Sequence, residues 1–223
     1  MKKSFNVVIA TAGRPTLQRM IDSIAPQLEE QDYLTVIWDC EPMELRIDSK
    51  CKYISIHNPE PLGFWGHGSR NRWQDELPGD YLMNGDDDDT YHPNAMLHIR
   101  KTCVDEKLYL FQFINNSVRV PNGSNISVGN VGTSCGVYPK TGNLPRWEHV
   151  YGGDGMFYVE LAKSLPVEII RRVIYAVHGD FSGYIDEDGP GKYTCLCGGQ
   201  MILCSVSGHQ FVVCIKCRKE VAI

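Results

Sequence analysis

The sequence contains no apolar run of the roughly 18–20 residues that a membrane-spanning helix requires. It also lacks an excess of positive charge, because 22 lysines and arginines stand against 27 aspartates and glutamates, for a formal net charge of −5. Nucleic-acid-binding proteins normally carry a positive surface, so this balance argues against that class. The start Met1-Lys2-Lys3-Ser4 lacks the apolar segment of a signal peptide. We therefore expect a soluble, cytoplasmic protein that neither spans a membrane nor binds nucleic acid.

The nine cysteines do not suggest a disulfide framework, because nine is odd and no export signal is present. Four are scattered and are expected to be small buried side chains. The other five lie within the last thirty residues. Two pairs there bracket a segment of hairpin length; they are Cys195 with Cys197 and Cys214 with Cys217.

These two pairs predict a zinc ribbon, in which Zn²⁺ is held tetrahedrally and stabilises a tail too small for its own core. The first pair has one intervening residue rather than the usual two, so Cys204 or His209 is an alternative ligand, and free thiols in a β-hairpin are an alternative to zinc. Such a zinc would be structural. The acidic, glycine-rich segment Asp186–Gly191 predicts a linker, which gives a domain over residues 1–188 and a Cys-rich β tail over residues 189–223.

Alternating strand and helix patterns fill residues 1–188 and predict an α/β nucleotide-binding sheet. The predicted strands are Asn6–Ala10, Leu34–Trp38, Lys52–His57, Asp80–Asn84, Leu108–Ile114, Val118–Val120 and Val173–Val177. The predicted helices are Thr16–Leu28, Ser69–Glu76, His92–Cys103, Asp154–Leu165 and Glu168–Arg172, with Thr16 or the turn before it as the first cap. The glycine-rich stretch Val128–Tyr138 predicts an edge strand or a close backbone approach.

Four consecutive carboxylates, Asp86–Asp89, follow one of the buried strands. Carboxylates this close repel one another, and a cation that neutralises them makes the arrangement tolerable. Carboxylate oxygens suit Mg²⁺ or Mn²⁺, and open α/β sheets bind ligands at the carboxyl ends of their strands. The alternative is a solvated acidic turn. A calcium-binding EF-hand loop is excluded, because Tyr91 and Leu97 occupy the positions of its required glycine and glutamate.

Together these features resemble the GT-A fold glycosyltransferases, especially the large inverting family two. The resemblance rests on Val8–Arg14, Asp39 at a strand end, and Asp86–Asp88. Three further blocks are similar to the small GT-A domains of chlorella-virus glycosyltransferases, which are associated with building capsid glycans; they are Gly66–Asn71, Tyr81–Pro93 and Gly152–Asp154. The likeness covers about residues 4–185 and implies a Rossmann-like mixed sheet flanked by helices. A viral origin would place the protein in the host cytoplasm.

The resemblance implies a metal-dependent, inverting transfer of a sugar from a nucleotide-diphosphate donor to a hydroxyl of a glycan or glycoprotein. A UDP-sugar is favoured, with UDP-L-rhamnose as one candidate. The implied donor-binding residues are Thr11, Ala12, Arg14, Asp39, Arg70, Asp86 and Asp87. The implied ligands of Mn²⁺ or Mg²⁺ are Asp88, Asp86 and His178, although four consecutive aspartates leave their register open by one residue. Structural roles remain alternatives for Arg14, Asp39, Arg70 and His178.

Asp154 matches the acidic position that acts as general base in these enzymes. Related proteins often carry Glu-Asp there, whereas this chain has Gly153-Asp154 and offers a single carboxylate. The alternative is a helix N-cap, but we expect the flanking glycines to leave space for a sugar. Residues 147–149 (Trp147, Glu148 and His149) are expected to line the acceptor pocket, with core packing as the alternative for Trp147.

Two other functions remain open. A sugar-1-phosphate nucleotidylyltransferase has a similar sheet and an aspartate-bound metal, but the long glycine-rich, lysine-containing signature of that class is missing at Thr11–Pro15. A non-catalytic interaction protein built on the zinc ribbon is the second alternative. The intact carboxylates at Asp86–Asp88 and Asp154 argue against it.

Overall fold

A computed structural model of the chain describes residues 2–115, 118–179 and 181, together with the backbone of four short strands between residues 193 and 222. The chain divides into two compact units, Met1–His178 and Gly179–Ile223. The predicted linker at Asp186–Gly191 lies outside the described residues, and the predicted boundary at 188/189 stays a prediction. Within the described part, no helix combines the length and apolar character needed to cross a bilayer.

The first unit is built on a mixed sheet. Its strands are β1 (Phe5–Thr11), β2 (Tyr33–Trp38), β3 (Lys52–His57), β4 (Tyr81–Asp86), β5 (Thr90–Tyr91), β6 (Leu108–Asn115), β7 (Val118–Val120), β8 (Gly136–Pro139) and β9 (Val167–Val177). They are ordered β3-β2-β1-β4-β8-β6-β9-β5, and β7 pairs with β6. The predicted α/β class and the first four predicted strands are confirmed.

Four α-helices accompany this sheet in the described residues: α1 (Leu17–Ile24), α2 (His67–Trp73), α3 (Ala95–Thr102) and α4 (Gly153–Leu161). The amphipathic stripe predicted for the first helix is confirmed, because Leu17, Met20, Ile21 and Ile24 are buried. The Thr16 side chain does not cap this helix, so that option of the prediction is wrong. Its Oγ1 atom is buried and has no hydrogen-bond partner among the described residues. The backbone turn alone begins this helix.

The parallel strands β1, β2 and β4 fix where the polar residues meet. Ala10 is in register with Asp86, and Thr11 is in register with Trp38. The residues that follow these strands therefore leave the sheet at the same edge. This places Thr11, Asp39 and the aspartate run together, as the sequence predicts.

Two sequence predictions are corrected by the pairing of β6. The segment Glu168–Arg172 is not a helix, because β9 runs through it in parallel pairing with β6. Cross-strand pairing overrides the helix propensity of its glutamate and arginines. The stretch Val128–Tyr138 is not an edge strand, since its β8 lies inside the sheet between β4 and β6. The alternative prediction for this stretch, a close approach of its backbone to a neighbouring element, is confirmed.

This close approach occurs at Gly136 on β8. A Cβ atom at Gly136 would lie 2.1 Å from the Tyr158 ring, which is fully buried and donates a hydrogen bond from its hydroxyl to the Thr133 carbonyl. We expect Gly136→Ala to lower the free energy of unfolding by about 1–3 kcal/mol through overpacking. Gly142→Ala is the control, because nothing lies within 4 Å of its added Cβ. Equal denaturant midpoints for the two variants would contradict this packing.

The four scattered cysteines are free thiols, of which Cys103 and Cys135 are buried, as expected, and Cys40 and Cys51 are partly exposed. In the second unit the described backbone forms an antiparallel sheet. Its strands, in spatial order, are β10 (Tyr193–Thr194), β11 (Gln200–Val206), β12 (His209–Cys214) and β13 (Glu220–Ala222). The predicted zinc ligands Cys195, Cys197 and Cys217 lie outside the described residues, and of Cys214 only the backbone is described. The zinc ribbon stays a prediction.

Candidate functional site

The four aspartates after β4 differ in exposure. Asp87 and Asp89 are buried, with 4% and 3% of their surface exposed. The side chains of Asp86 and Asp88 are 35% and 21% exposed. Buried and accessible carboxylates therefore alternate along the run, so Asp86 and Asp88 present oxygens to the solvent side of the sheet edge.

Asp87 joins the aspartate run to the first βα turn. Its Oδ2 accepts a hydrogen bond of 2.6 Å from the Thr11 hydroxyl, and that hydroxyl accepts one of 2.9 Å from the Gly13 amide. Arg14 lies 3.3 Å from Asp87 Oδ1 and also forms an ion pair with Asp88. Thr11 is buried, whereas Ala12 and Arg14 are exposed. The backbone of Ala12 and the guanidinium of Arg14 are therefore the parts of this turn that are accessible to a ligand.

Asp88, Asp89 and His178 form the one group of potential metal ligands found among the described residues. Their ligand atoms all lie within 4.8 Å of one another. The Nδ1 atom of His178 is 3.3 Å from Asp88 Oδ2, and its backbone amide donates a hydrogen bond of 2.8 Å to Asp89 Oδ1. His178 adopts a left-handed φ of 51°, a strained conformation that tertiary contacts must hold.

The electrostatics of Asp89 favour a cation at this position. Burial raises the pKa of Asp89 to about 7, and the negative charges of Asp86 and Asp88 add to that rise, while the hydrogen bond from the His178 amide opposes it. A nearby divalent cation would favour the ionised carboxylate. Two carboxylates and an imidazole form a ligand set that accepts Mn²⁺, so these residues fit a divalent metal. Asp89 was not named as a ligand from the sequence, although the open register of the run Asp86–Asp89 allowed it.

Asp86, which was also predicted as a metal ligand, contacts a different partner. Its Oδ1 accepts a hydrogen bond of 2.7 Å from Arg70 Nη2, and Arg70 is 1% exposed. The same guanidinium donates to the carbonyls of Trp65 and Gly85, at 3.0 Å each. Its Nε has no hydrogen-bond partner within the described part of the chain. Arg70 is thus a buried residue that contacts the aspartate run, and its predicted role in donor binding stays a prediction.

Asp39, at the end of β2, organises the loop before α2. Its Oδ1 accepts hydrogen bonds from Asn58, Ser69 and the Leu62 amide, and its Oδ2 accepts one of 2.6 Å from the Gly63 amide. Partial burial tends to raise the pKa of Asp39, but these four bonds outweigh it and the pKa is lowered. Asp39 is therefore more than a residue that ends a strand.

This bonding makes a prediction for Asp39→Asn. Because the folded-state pKa is lowered, the carboxylate stabilises the fold above its unfolded pKa, and that stabilisation is lost as pH falls through the lowered value. We expect the variant to be less stable than wild type by about 1–3 kcal/mol at pH 7, with the difference shrinking below about pH 4. Urea unfolding at pH 7, 5 and 3.5 measures this, with the exposed Asp48→Asn as control. A difference that is independent of pH would contradict the assignment.

Asp154 lies in the first turn of α4, after Gly152 at the N-cap position. Its Oδ2 accepts a hydrogen bond of 3.2 Å from the Thr133 amide, and its Oδ1 accepts one of 2.7 Å from the Gly155 amide. The expectation that the flanking glycines leave space for a sugar is wrong. A Cβ at Gly153 would lie 2.1 Å from the Glu148 carbonyl, and one at Gly155 would lie 2.8 Å from Val128 Cα. These glycines allow the backbone to pack closely and so hold Asp154 in place.

The predicted acceptor-pocket residues separate into two groups. Trp147 is buried, and its ring stacks on Phe157 at a centroid distance of 4.2 Å, so its role is core packing. Glu148 and His149 are exposed. The carbonyl of Glu148 accepts a hydrogen bond of 2.7 Å from His67 Nδ1 if this nitrogen carries the proton.

His67 is a site residue that the sequence reasoning missed. It begins α2 and is 4% exposed. The negative charges of Asp154 and Asp86 both act on its imidazole ring. Burial lowers its pKa, so the ring is neutral at pH 7, and the bond to Glu148 assigns its proton to Nδ1. Its place within Gly66-His67-Gly68 was the only signal in the sequence.

No family model and no curated protein sequence matches this chain. Among solved structures, it is similar to S. aureus TarS 1–349 in complex with UDP, with a TM-score of 0.62 and 14% identity over 81% of this chain and 62% of that one. It is also similar to the mannosyltransferase PcManGT from Pyrobaculum calidifontis in complex with GDP-Man and Mn²⁺, with a TM-score of 0.60 and 12% identity over 82% of this chain and 59% of that one.

A third similar structure is TarS 1–349 in complex with UDP-GlcNAc, with a TM-score of 0.62 and 13% identity over 82% of this chain and 61% of that one. The chain thus spans about three fifths of the length of these three structures. Identity this low establishes the fold alone. The chain has the GT-A fold, a mixed α/β sheet flanked by helices.

Proposed function

We propose that this chain is a metal-dependent, inverting glycosyltransferase that moves a sugar from a nucleotide-diphosphate donor to a hydroxyl of a glycan. The observation that carries the proposal is the cluster of Asp88, Asp89 and His178 at the carboxyl edge of a GT-A sheet. The ion pair of Asp86 with Arg70 and the turn at Thr11 belong to the same edge. Proteins with similar folds have been solved with UDP, UDP-GlcNAc, or GDP-Man and Mn²⁺.

The metal in this proposal is Mn²⁺ or Mg²⁺, held by Asp88, Asp89 and His178, with Asp86 as the further ligand that the family resemblance implies. When bound, it would stabilise the negative charge that develops on the leaving diphosphate. Arg14 now contacts the carboxylate of Asp88, and its side chain is 51% exposed. It can therefore turn from Asp88 to a donor phosphate, for which a guanidinium is a geometrically suited partner.

The donor nucleotide is assigned to the turn after β1 and to Asp39. Thr11 holds Asp87 and so fixes the turn, while the exposed Ala12 offers its backbone to the ligand. Asp39 Oδ2 accepts one hydrogen bond from Gly63, which leaves acceptor capacity for an N–H of the base. A uracil base offers one such N–H, so we favour UDP, with UDP-L-rhamnose as a candidate that the chlorella-virus resemblance suggests.

Asp154 is proposed as the general base. Its carboxylate is held by the Thr133 and Gly155 amides, so its direction is fixed before a substrate binds. In the proposed step, Asp154 takes the proton of the acceptor hydroxyl while that oxygen bonds to the anomeric carbon. The bond from this carbon to the diphosphate breaks on the opposite face, so the configuration inverts.

Calorimetry with UDP, GDP and CTP, each with and without Mn²⁺, tests this proposal. We expect UDP to bind with Mn²⁺ and the affinity to fall at least about tenfold without it. The reaction is then followed with a nucleotide-sugar panel, and we expect release of the nucleoside diphosphate. Release of pyrophosphate from UTP and a sugar 1-phosphate would instead identify a nucleotidylyltransferase. An equal nucleotide affinity with and without Mn²⁺ would contradict the metal assignment.

A further inference from the structure

Four aromatic side chains form an exposed cluster beside the candidate site, here called the aromatic ledge (Phe64, Trp65, His149 and Tyr151). Phe64, Trp65 and Tyr151 are 50%, 64% and 91% exposed. The rings of Phe64 and His149 stack at a centroid distance of 4.3 Å, and those of Trp65 and Tyr151 meet edge to face at 6.3 Å. Large apolar rings that remain in water while contacting one another suggest a surface that a ligand covers.

The ledge is held in a strained conformation. Phe64 and Trp65 have left-handed φ values of 55° and 53°, and His178 is the only other non-glycine residue with positive φ in the described part of the chain. Such conformations persist where surrounding contacts impose them, and they cluster at functional sites. The contacts here are the bonds from the Leu62 and Gly63 amides to Asp39, and the bond from Arg70 to the Trp65 carbonyl.

The ledge is also continuous with the site on both sides. The guanidinium of Arg70 contacts the Trp65 carbonyl and the Asp86 carboxylate, so one buried side chain ties the ledge to the aspartate run. The ring of Trp65 lies 6.3 Å from that of His67. Tyr151 belongs to the turn that leads, three residues later, to Asp154. The ledge is therefore tied to the aspartate run through Arg70, and to the proposed base through the short segment that leads into α4.

We propose that the aromatic ledge binds the acceptor sugar, with one apolar face of a pyranose ring stacked on Trp65 and its edge against Tyr151. This inference rests on the proposed function. A pyranose carries C–H groups on its faces, and these slightly positive groups are attracted to the negative face of an aromatic ring. Its hydroxyl groups point outward from the ring, so one of them is free to reach Asp154.

A protein partner is a less suitable occupant. The ledge is aromatic rather than aliphatic, and the Trp65 carbonyl at its base is bonded to Arg70, which also binds the partly exposed Asp86 carboxylate; a flat protein surface laid over the ledge would bury such polar groups. A sugar supplies both an apolar face and hydroxyl groups at its rim. The chemistry of the ledge thus favours a single sugar ring over a flat protein surface.

Saturation-transfer NMR tests this proposal on the full chain with UDP and Mg²⁺ present, because paramagnetic Mn²⁺ would broaden the signals. The probes are the methyl glycosides of glucose, galactose, mannose, N-acetylglucosamine and L-rhamnose. We expect at least one to bind, with transfer strongest at the C–H protons of one face. Trp65→Ala should weaken this binding about tenfold, Tyr151→Ala less, and Trp65→Phe least, because it keeps an aromatic face. Tyr53→Ala on β3, another exposed aromatic residue, should have no effect.

The outcomes separate the ledge from the proposed function, because UDP affinity is measured on the same samples. If UDP binds but no glycoside does, or if the Trp65→Ala and Tyr151→Ala variants bind the glycoside as wild type does, the ledge proposal is overturned and the proposed function stands. If UDP binds wild type with neither Mg²⁺ nor Mn²⁺, both proposals are overturned. Self-association that Trp65→Ala abolishes, with glycoside binding unchanged, would show that the ledge is an interface between copies of the chain.

Discussion

Replacing Asp88 with alanine is expected to remove Mn²⁺-dependent nucleotide binding, with a loss in affinity of about 100-fold or more. The Oδ2 atom of Asp88 lies 3.3 Å from the His178 Nδ1, and Asp88 is more accessible than Asp87 or Asp89. Without it the cluster keeps one carboxylate and one imidazole, too few ligands to hold a divalent ion in competition with water. Calorimetric titration of Mn²⁺ alone, and then of UDP with Mn²⁺, measures both losses.

The matched control for this substitution is Asp75→Ala. Asp75 is a partly exposed carboxylate that pairs with Arg146 at 2.6 Å, outside the site, and surface pairs of this kind contribute little to stability. We expect it to bind Mn²⁺ and UDP as wild type does. An Asp88→Ala protein that still binds Mn²⁺ with wild-type affinity would show that the metal is held by other residues.

The second large effect is expected for Asp154→Asn, which should lower kcat for sugar transfer by about 10²–10⁴-fold while UDP affinity with Mn²⁺ stays within about twofold. Asparagine has nearly the same shape as aspartate but cannot take a proton from the acceptor hydroxyl. It can also keep only one of the hydrogen bonds from the Thr133 and Gly155 amides, so thermal unfolding is measured on the same sample. A folded variant with intact UDP binding and lost transfer identifies the base.

Glu160→Gln is the control for that experiment, because Glu160 is an exposed carboxylate on the same helix, α4, and pairs with Lys163. We expect its kcat to match that of wild type. If Asp154→Asn transferred sugar at the wild-type rate, another group would have to accept the proton. His67 would be the first to test, because its Cε1 lies 3.0 Å from the position of a Cβ on Gly153, the residue before Asp154.

Much of the fold follows from local sequence patterns. The runs of β1 and β2 are short, buried and rich in β-branched residues, and that of β4 is short and buried. Parallel pairing takes the carboxyl ends of all three to one edge. The position of Thr11, Asp39 and Asp86 at the same edge of the sheet was therefore predictable. The segment Glu168–Arg172 was not, since its strand conformation depends on pairing with β6, some sixty residues earlier. Local propensity carries no information about that partner.

The site residues were predictable only where both their type and their position in the sequence match those of the resembling family. Asp88 and His178 were named because of the family resemblance, and the structure brings them within 3.3 Å. His67 was missed and Asp89 was only left open by the ambiguous register, because the relevance of both depends on burial and on neighbours distant in sequence. The aromatic ledge was missed for a related reason: the left-handed backbone at Phe64 and Trp65 is imposed by contacts from Asp39 and Arg70 and leaves no pattern in the sequence.

The most direct test of the account is a crystal structure of the chain grown with UDP and Mn²⁺, in which anomalous scattering locates the metal. We predict a manganese peak bonded to Asp88 and His178 and to the UDP diphosphate, with Arg14 moved from Asp88 to a phosphate. Nucleotide and metal bound elsewhere, with Asp88 still paired to Arg14 and facing bulk solvent, would contradict the account.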